Sequence, residues 1–145
     1  MFAKLSIVLC CLLAFQAGSG ETHNAIHVAI DGLHTDKGQV ICSLYSSAEG
    51  FPKNEKKAIA HAESLITNRR ADCKFAGIPP GRYAISVFQD ENSNGRLDTN
   101  FLGIPREGVG ASNNARGHLG PPSFRNASFV YAGGDMDLKI VIAYL

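Results

Sequence analysis

The sequence predicts an all-β fold: a single antiparallel β-sandwich with one short helical insertion and a long ordered loop. Three observations carry this expectation. Six segments alternate apolar and polar residues with period two and are rich in β-branched side chains. Gly, Pro and Asn punctuate them. No strand–helix–strand alternation is present, which excludes a parallel α/β sheet. At 145 residues, with 45% apolar and 19% charged, the chain suffices for one core and leaves no room for two large domains.

The first element is an address rather than a fold. Lys4 precedes an apolar run from Leu5 to Phe15, and Ala17-Gly18-Ser19-Gly20 supplies small residues for cleavage. This is the three-part pattern of a secretory signal, so residues 1–20 are read as a signal peptide and residues 21–145 as the β-sandwich domain. The apolar run is well short of the roughly 20 residues a spanning helix needs. Cys10 and Cys11 have no small residue just before them, which argues against lipoprotein cleavage. The expected location is secreted or periplasmic, with no transmembrane segment in the mature chain.

The strands follow in order. Ile26, Val28 and Ile30 share one face of the first. Val40, Cys42 and Leu44 share a face in 39–46. Ala71, Cys73 and Phe75 do so in the third, and Tyr83, Ile85 and Val87 in 82–89. A short candidate lies at 128–131, and Leu138, Ile140 and Ile142 align in the last. Ile78-Pro79-Pro80-Gly81 is read as the turn of a hairpin between the third and fourth strands. From Asn54 to Asn68 the period changes: Ala58, Ile59, Ala62, Leu65 and Ile66 recur near helical spacing. Asn54 suits a cap and Glu55 a first turn, which predicts a short helix with His61 on its solvated side. Once the signal is removed, only Cys42 and Cys73 remain. An even pair in an exported chain reads as a disulfide; two buried thiols are the alternative.

Charge narrows the partners. Fourteen basic residues face thirteen acidic ones, and no Lys/Arg run exceeds two. This excludes a general nucleic-acid binder or a polybasic membrane binder.

Between Gln89 and Ala127 there is little periodic structure. Loops beyond about 12–15 residues are usually functional or disordered. This one carries Leu97, Phe101, Leu102, Ile104, Val109 and Phe124 and is expected to be ordered. It opens with Asp90-Glu91-Asn92-Ser93-Asn94-Gly95-Arg96-Leu97-Asp98. Oxygen side chains fall at positions one, three, five and nine, with glycine at six. Alternate oxygens can converge on a hard cation, and glycine permits the turn that returns the chain. The expected ligands are Asp90, Asn92, Asn94, the carbonyl of Arg96, and Asp98, directly or through water. Position twelve, ordinarily a bidentate Glu, is Phe101. A further carboxylate must then come from elsewhere, with Glu107, Asp31, Asp135 and Asp137 as candidates. So few charges predict weak calcium binding, about 10⁻⁴–10⁻³ M. Two alternatives stay open: another cation, and metal-free turns in which Asp and Asn bond their own backbone.

The second half of the loop, Gly103 to Asn114, mixes glycine with Ser112, Asn113 and Asn114. This composition suits either a ligand contact, such as a glycan or peptide cleft, or a cover over a sheet edge. It matches neither the phosphate-loop nor the dinucleotide fingerprint. His23 and His27 stand at i,i+4 on a strand, where solvent exposure is the simpler reading than copper or zinc.

The run PPGRYAISVFQDENSNGRLDTNFLGIPREGVGASNNARGHLGPPSF resembles the hallmark of a bacterial family, domain of unknown function 2141. Residues 24–46 and the last strand are also similar. The PPG-x-Y piece alone is shared with many transthyretin-like and carboxypeptidase-regulatory-like sandwiches. The resemblance therefore implies a secreted or periplasmic sandwich of the Ig-like or transthyretin-like kind. It implies no activity. The hallmark carries His where this chain has Gln89.

Two functions follow as expectations. The first is a non-catalytic exported module whose calcium-ordered loop binds an envelope, glycan or protein partner. The second is a secreted hydrolase using polar groups of the 98–118 loop, which requires Glu107, Ser112, Asn113 or His118 to converge in one pocket.

Overall fold

Strand β1 (Ala25–Asp31) is the centre of the smaller sheet, between β4 (Ala71–Ala76) and β8 (Met136–Val141). The computed structural model describes residues 24–145; the expected signal peptide and His23 lie outside the described residues. The larger sheet has the order β3 (Ala60–Leu65), β2 (Gln39–Tyr45), β5 (Gly81–Asp90), β6 (Val109–Ala111). A further short strand, β7 (Phe129–Tyr131), pairs with the start of β5, Gly81 to Tyr83. The two sheets face each other across Ile26, Val28, Ile30, Cys73, Phe75 and Ile140 on one side and Val40, Cys42, Leu44, Tyr83, Ile85 and Val87 on the other. These are the inward positions that period-two alternation assigns. Cys42 and Cys73 form a disulfide joining β2 to β4, with Cα atoms 6.7 Å apart, so the pair staples one sheet to the other.

Four expectations need correction. The 54–68 segment is not a helix: only Glu55–Lys57 makes a 3₁₀ turn, and residues 60–65 form edge strand β3. Its inward residues are Ala60, Ala62 and Ser64, and Leu65 is exposed. Small inward residues leave too faint an alternation to read as a strand. Asn54 does cap the turn, accepting from the Lys56 N–H. Next, Pro79-Pro80-Gly81 joins no hairpin, because β4 and β5 lie in different sheets; the turn carries the chain across the sandwich.

The sheets are also not wholly antiparallel, since β1 and β8 run parallel with Val28 opposite Leu138. The reason lies at their common start. Tyr131, ending β7, hydrogen-bonds Asn24 Oδ1 at 2.7 Å, and the Ala25 N–H donates to Asp135 Oδ1 at 3.3 Å. The last strand is therefore launched from the end where β1 begins. Finally, the 89–127 excursion is not all loop: it contains β6, a 3₁₀ turn at Ser112–Asn114 and a four-residue helix, α1 (Phe124–Ala127).

The outer face of the larger sheet is covered as well. Ala84, Ala111 and Ala127 pack with Phe51, Ala115 and Phe124, and Phe51 meets both Tyr45 and Phe124 edge-on. This second layer covers Tyr45 at the end of β2, a strand buried throughout after Gln39. Among the described residues, no helix is long and apolar enough to cross a membrane.

Candidate metal centre

The Asp90 loop begins where β5 ends, and the preceding residues fix its direction. Gln89 is fully buried. Its amide donates to the carbonyls of Thr35 at 3.2 Å and Lys37 at 3.0 Å, and its oxygen accepts from Tyr144 Oη. Gly38 lies directly against Asp90: a Cβ there would sit 1.8 Å from the Asp90 carbonyl oxygen. These contacts hold the end of β5 before the chain turns.

Asp90 then organises the turn. Its carboxylate is buried and accepts from Asn94 N at 3.1 Å and from Gly95 N at 2.8 Å. Gly95 has φ +76°, the left-handed backbone that glycine adopts at no steric cost. Asn92 Oδ1 accepts from Asn94 N, and Asn94 Oδ1 from Arg96 N. Asp98 closes the loop. The amide of Asn92 lies 2.7 Å from its Oδ2, and that of Asn94 lies 2.9 and 3.1 Å from its two oxygens. The amide nitrogens of Asn92 and Asn94 thus meet at the Asp98 carboxylate, while their oxygens turn to main-chain N–H groups.

Glu107 buckles the two ends together. It is 5% exposed, and its oxygens accept from Glu91 N and Asp98 N, both at 3.1 Å. Among the four carboxylates named as possible extra ligands, Glu107 is the one the structure ties to this loop. Asp31 instead pairs with Lys139 and Arg70, and Asp135 lies beside Ala25 and His27. Burial pushes the Glu107 pKa up, against the pull of the two N–H donors. The Asn94 and Asn92 amides hold the Asp98 pKa down.

The residue types are those a hard cation takes, with the Asp90, Asn92 and Asn94 oxygens engaged by main-chain N–H groups. A half-turn of either Asn amide exchanges its NH₂ for its oxygen, and gives up the hydrogen bond that oxygen accepts from Asn94 N or Arg96 N. The site opens on a concavity of about 490 Å³ that Asn92, Asn94, Arg96, Asp98, Arg106 and Glu107 help to line. Among the described residues, no three His, Cys, Asp or Glu side chains are grouped to hold a metal. Any ion here would draw on amide and carbonyl oxygens together with carboxylates.

The polar residues further on lie elsewhere. Ser112 is 1% exposed; its Oγ accepts from Ile85 N at 2.9 Å and donates to the Ala127 carbonyl. Asn113 donates to the carbonyls of Asn126 and Ser128. Asn114 Oδ1 accepts from Val141 N at 2.9 Å. Both asparagines have positive φ, a conformation Asn tolerates better than most residues. All three fasten the excursion to the sandwich. Glu107 faces the 90–98 loop instead, and His118 is exposed.

Two features have no counterpart in the sequence reading. Asn100 caps the hairpin that follows Asp98: its Oδ1 accepts from Leu102 N at 2.9 Å and Ile104 N at 3.0 Å. The N-x-x-G spacing to Gly103 is the signal that marks it. His61 is exposed, as expected, but it lies on a strand and its Nδ1 is 3.0 Å from Ser43 Oγ. That contact needs the β2–β3 register and leaves no local motif.

A family model described as "Uncharacterized protein conserved in bacteria (DUF2141)" matches residues 28–139, which bears out the resemblance seen in the 79–124 run. No curated protein and no solved structure matches the chain.

Proposed function

This chain belongs to DUF2141, a family of bacterial proteins, and from that premise we propose that it is an exported, non-catalytic binding module with a calcium-ordered loop. Asp90, Asn92, Asn94, Asp98 and the Arg96 carbonyl hold the ion, with Glu107 behind them, and the loop meets an envelope, glycan or protein partner. One observation carries the reading: the Asn92 and Asn94 amide groups, at positions three and five, both lie within 2.7 to 3.1 Å of the Asp98 carboxylate at position nine. That is about the spacing of oxygens that share a cation at 2.3–2.6 Å. The ion adds positive charge where burial makes the ionised Glu107 costly. The commitment of the Ser112 hydroxyl to two main-chain groups favours binding over nucleophilic chemistry.

The same hydrogen bonds also close the loop with no ion, as turns bonding their own backbone. Thermal unfolding in millimolar calcium and in chelator separates the two. Calcium raises Tm in the parent chain, and Asp98→Asn, which removes a charge at the mouth of the loop, weakens that rise. An identical Tm in both buffers overturns the metal.

A further inference from the structure

The hairpin beyond Asp98 carries an apolar tip. Phe101 is 93% exposed, Leu102 68% and Ile104 44%. Single exposed apolar residues are ordinary, but three within four positions of one turn are not. The tip is closed by its own hydrogen bonds. Thr99 bridges to Pro105, and Arg106 N donates to the Asp98 carbonyl at 2.9 Å. Asn100 N donates to the Ile104 carbonyl at 2.9 Å and Gly103 N to the Asn100 carbonyl at 3.0 Å. Asn100 Oδ1 takes the N–H groups of Leu102 and Ile104. Four donors of the turn are thus satisfied internally. Water asks for no such closure, whereas an apolar medium does, because an unpaired N–H there costs several kcal/mol.

Charge at the base of the hairpin points the same way. Arg96 and Arg106 are both exposed and flank it, and none of the ion pairs among the described residues engages either one. Glu107 is buried on two N–H groups; Asp98 is bonded to two amides and feels the Arg96 charge, and Glu91 is an exposed neighbour.

We infer that the 99–105 hairpin inserts into the surface of a lipid bilayer, with Phe101 and Leu102 entering the acyl boundary and Arg96 and Arg106 pairing with anionic headgroups. Arginine stems are long enough to lie along the apolar tip while the guanidinium stays at headgroup level. A bilayer imposes no shape on what enters it. A stable protein interface needs about 800 Å² from each partner, more than one short turn supplies. The inference goes beyond the calcium reading and does not require it.

The chain contains no Trp, so Phe101→Trp places a single reporter at the tip of the full chain. Val130→Trp, exposed on β7 at the far end of β5, reports elsewhere on the same fold. Each is mixed with phosphatidylcholine vesicles with and without phosphatidylglycerol, in calcium and in chelator, using brominated acyl chains as quenchers. The expected result is a blue shift and quenching of the Phe101→Trp reporter, strongest with phosphatidylglycerol, and neither change for Val130→Trp. Replacing both Arg96 and Arg106 by Gln weakens partition by roughly 30-fold. Unchanged Phe101→Trp emission in every mixture overturns the inference. Equal quenching at both positions also overturns it, because another part of the chain is then inserting. So does self-association of the parent chain that Leu102→Ser abolishes, because the tip then docks on a second copy. A calcium effect on insertion bears on the metal loop alone.

Discussion

Ser112 shows how one hydroxyl completes a sheet. β6 pairs with Ser86–Phe88 and β7 with Gly81–Tyr83, so the edge of β5 has a gap between them. Ser112 Oγ fills it, accepting from Ile85 N and donating to the Ala127 carbonyl. Ser112→Ala leaves both groups buried and unpaired, so it costs about 1–3 kcal/mol in urea unfolding. Asp31 supplies the pH-dependent counterpart. The hydrogen bond from Lys139, then its charge and that of Arg70, lower its pKa below the ordinary 3.8. A depressed carboxylate stabilises the fold above its unfolded pKa and loses that stability as pH falls through its folded value. Asp31→Asn is therefore less stable than the parent at neutral pH, and the two converge as pH falls through the lowered folded-state pKa of Asp31; urea melts at several pH values check this. At this scale the 90–98 loop was legible because its oxygen-bearing side chains and its glycine stand at local spacings. The Ser112 role was not, because it needs two strands to break along one edge.

Among the elements, six strands could be read because their inward residues are apolar, most of them β-branched or aromatic. β3 could not, since Ala60, Ala62 and Ser64 carry little hydrophobic signal. β6 could not either: three residues, Val109-Gly110-Ala111, pair with β5 and are too few to show any period. The disulfide was legible as a pairing but not as a link between sheets. It closes a loop of 31 residues, worth about 3–4 kcal/mol on the chain-entropy model. Its reduction, or a Cys42→Ala/Cys73→Ala double variant, should lower the unfolding free energy by that amount with little change in strand content by circular dichroism.

At the level of the molecule, the sandwich supplies the frame and the 91–128 excursion supplies what is specific to it. With a dissociation constant of 0.1–1 mM, 10 mM calcium adds about 1.4–2.7 kcal/mol, or roughly 5–10 °C in Tm for a domain of this size; differential scanning calorimetry reads the shift directly. Sequence made the two-layer frame legible because alternation reports directly on it. The parallel β1–β8 pair was hidden, since it depends on where Asn24 receives Tyr131. The shared edge of β5 has one more consequence. An uncapped strand margin is a template on which a second chain can lengthen the sheet and start a fibril. In this protein that margin is sealed by the same excursion that bears the candidate ion site and the apolar tip, so whatever tightens the excursion also shields the chain from polymerising with its own kind.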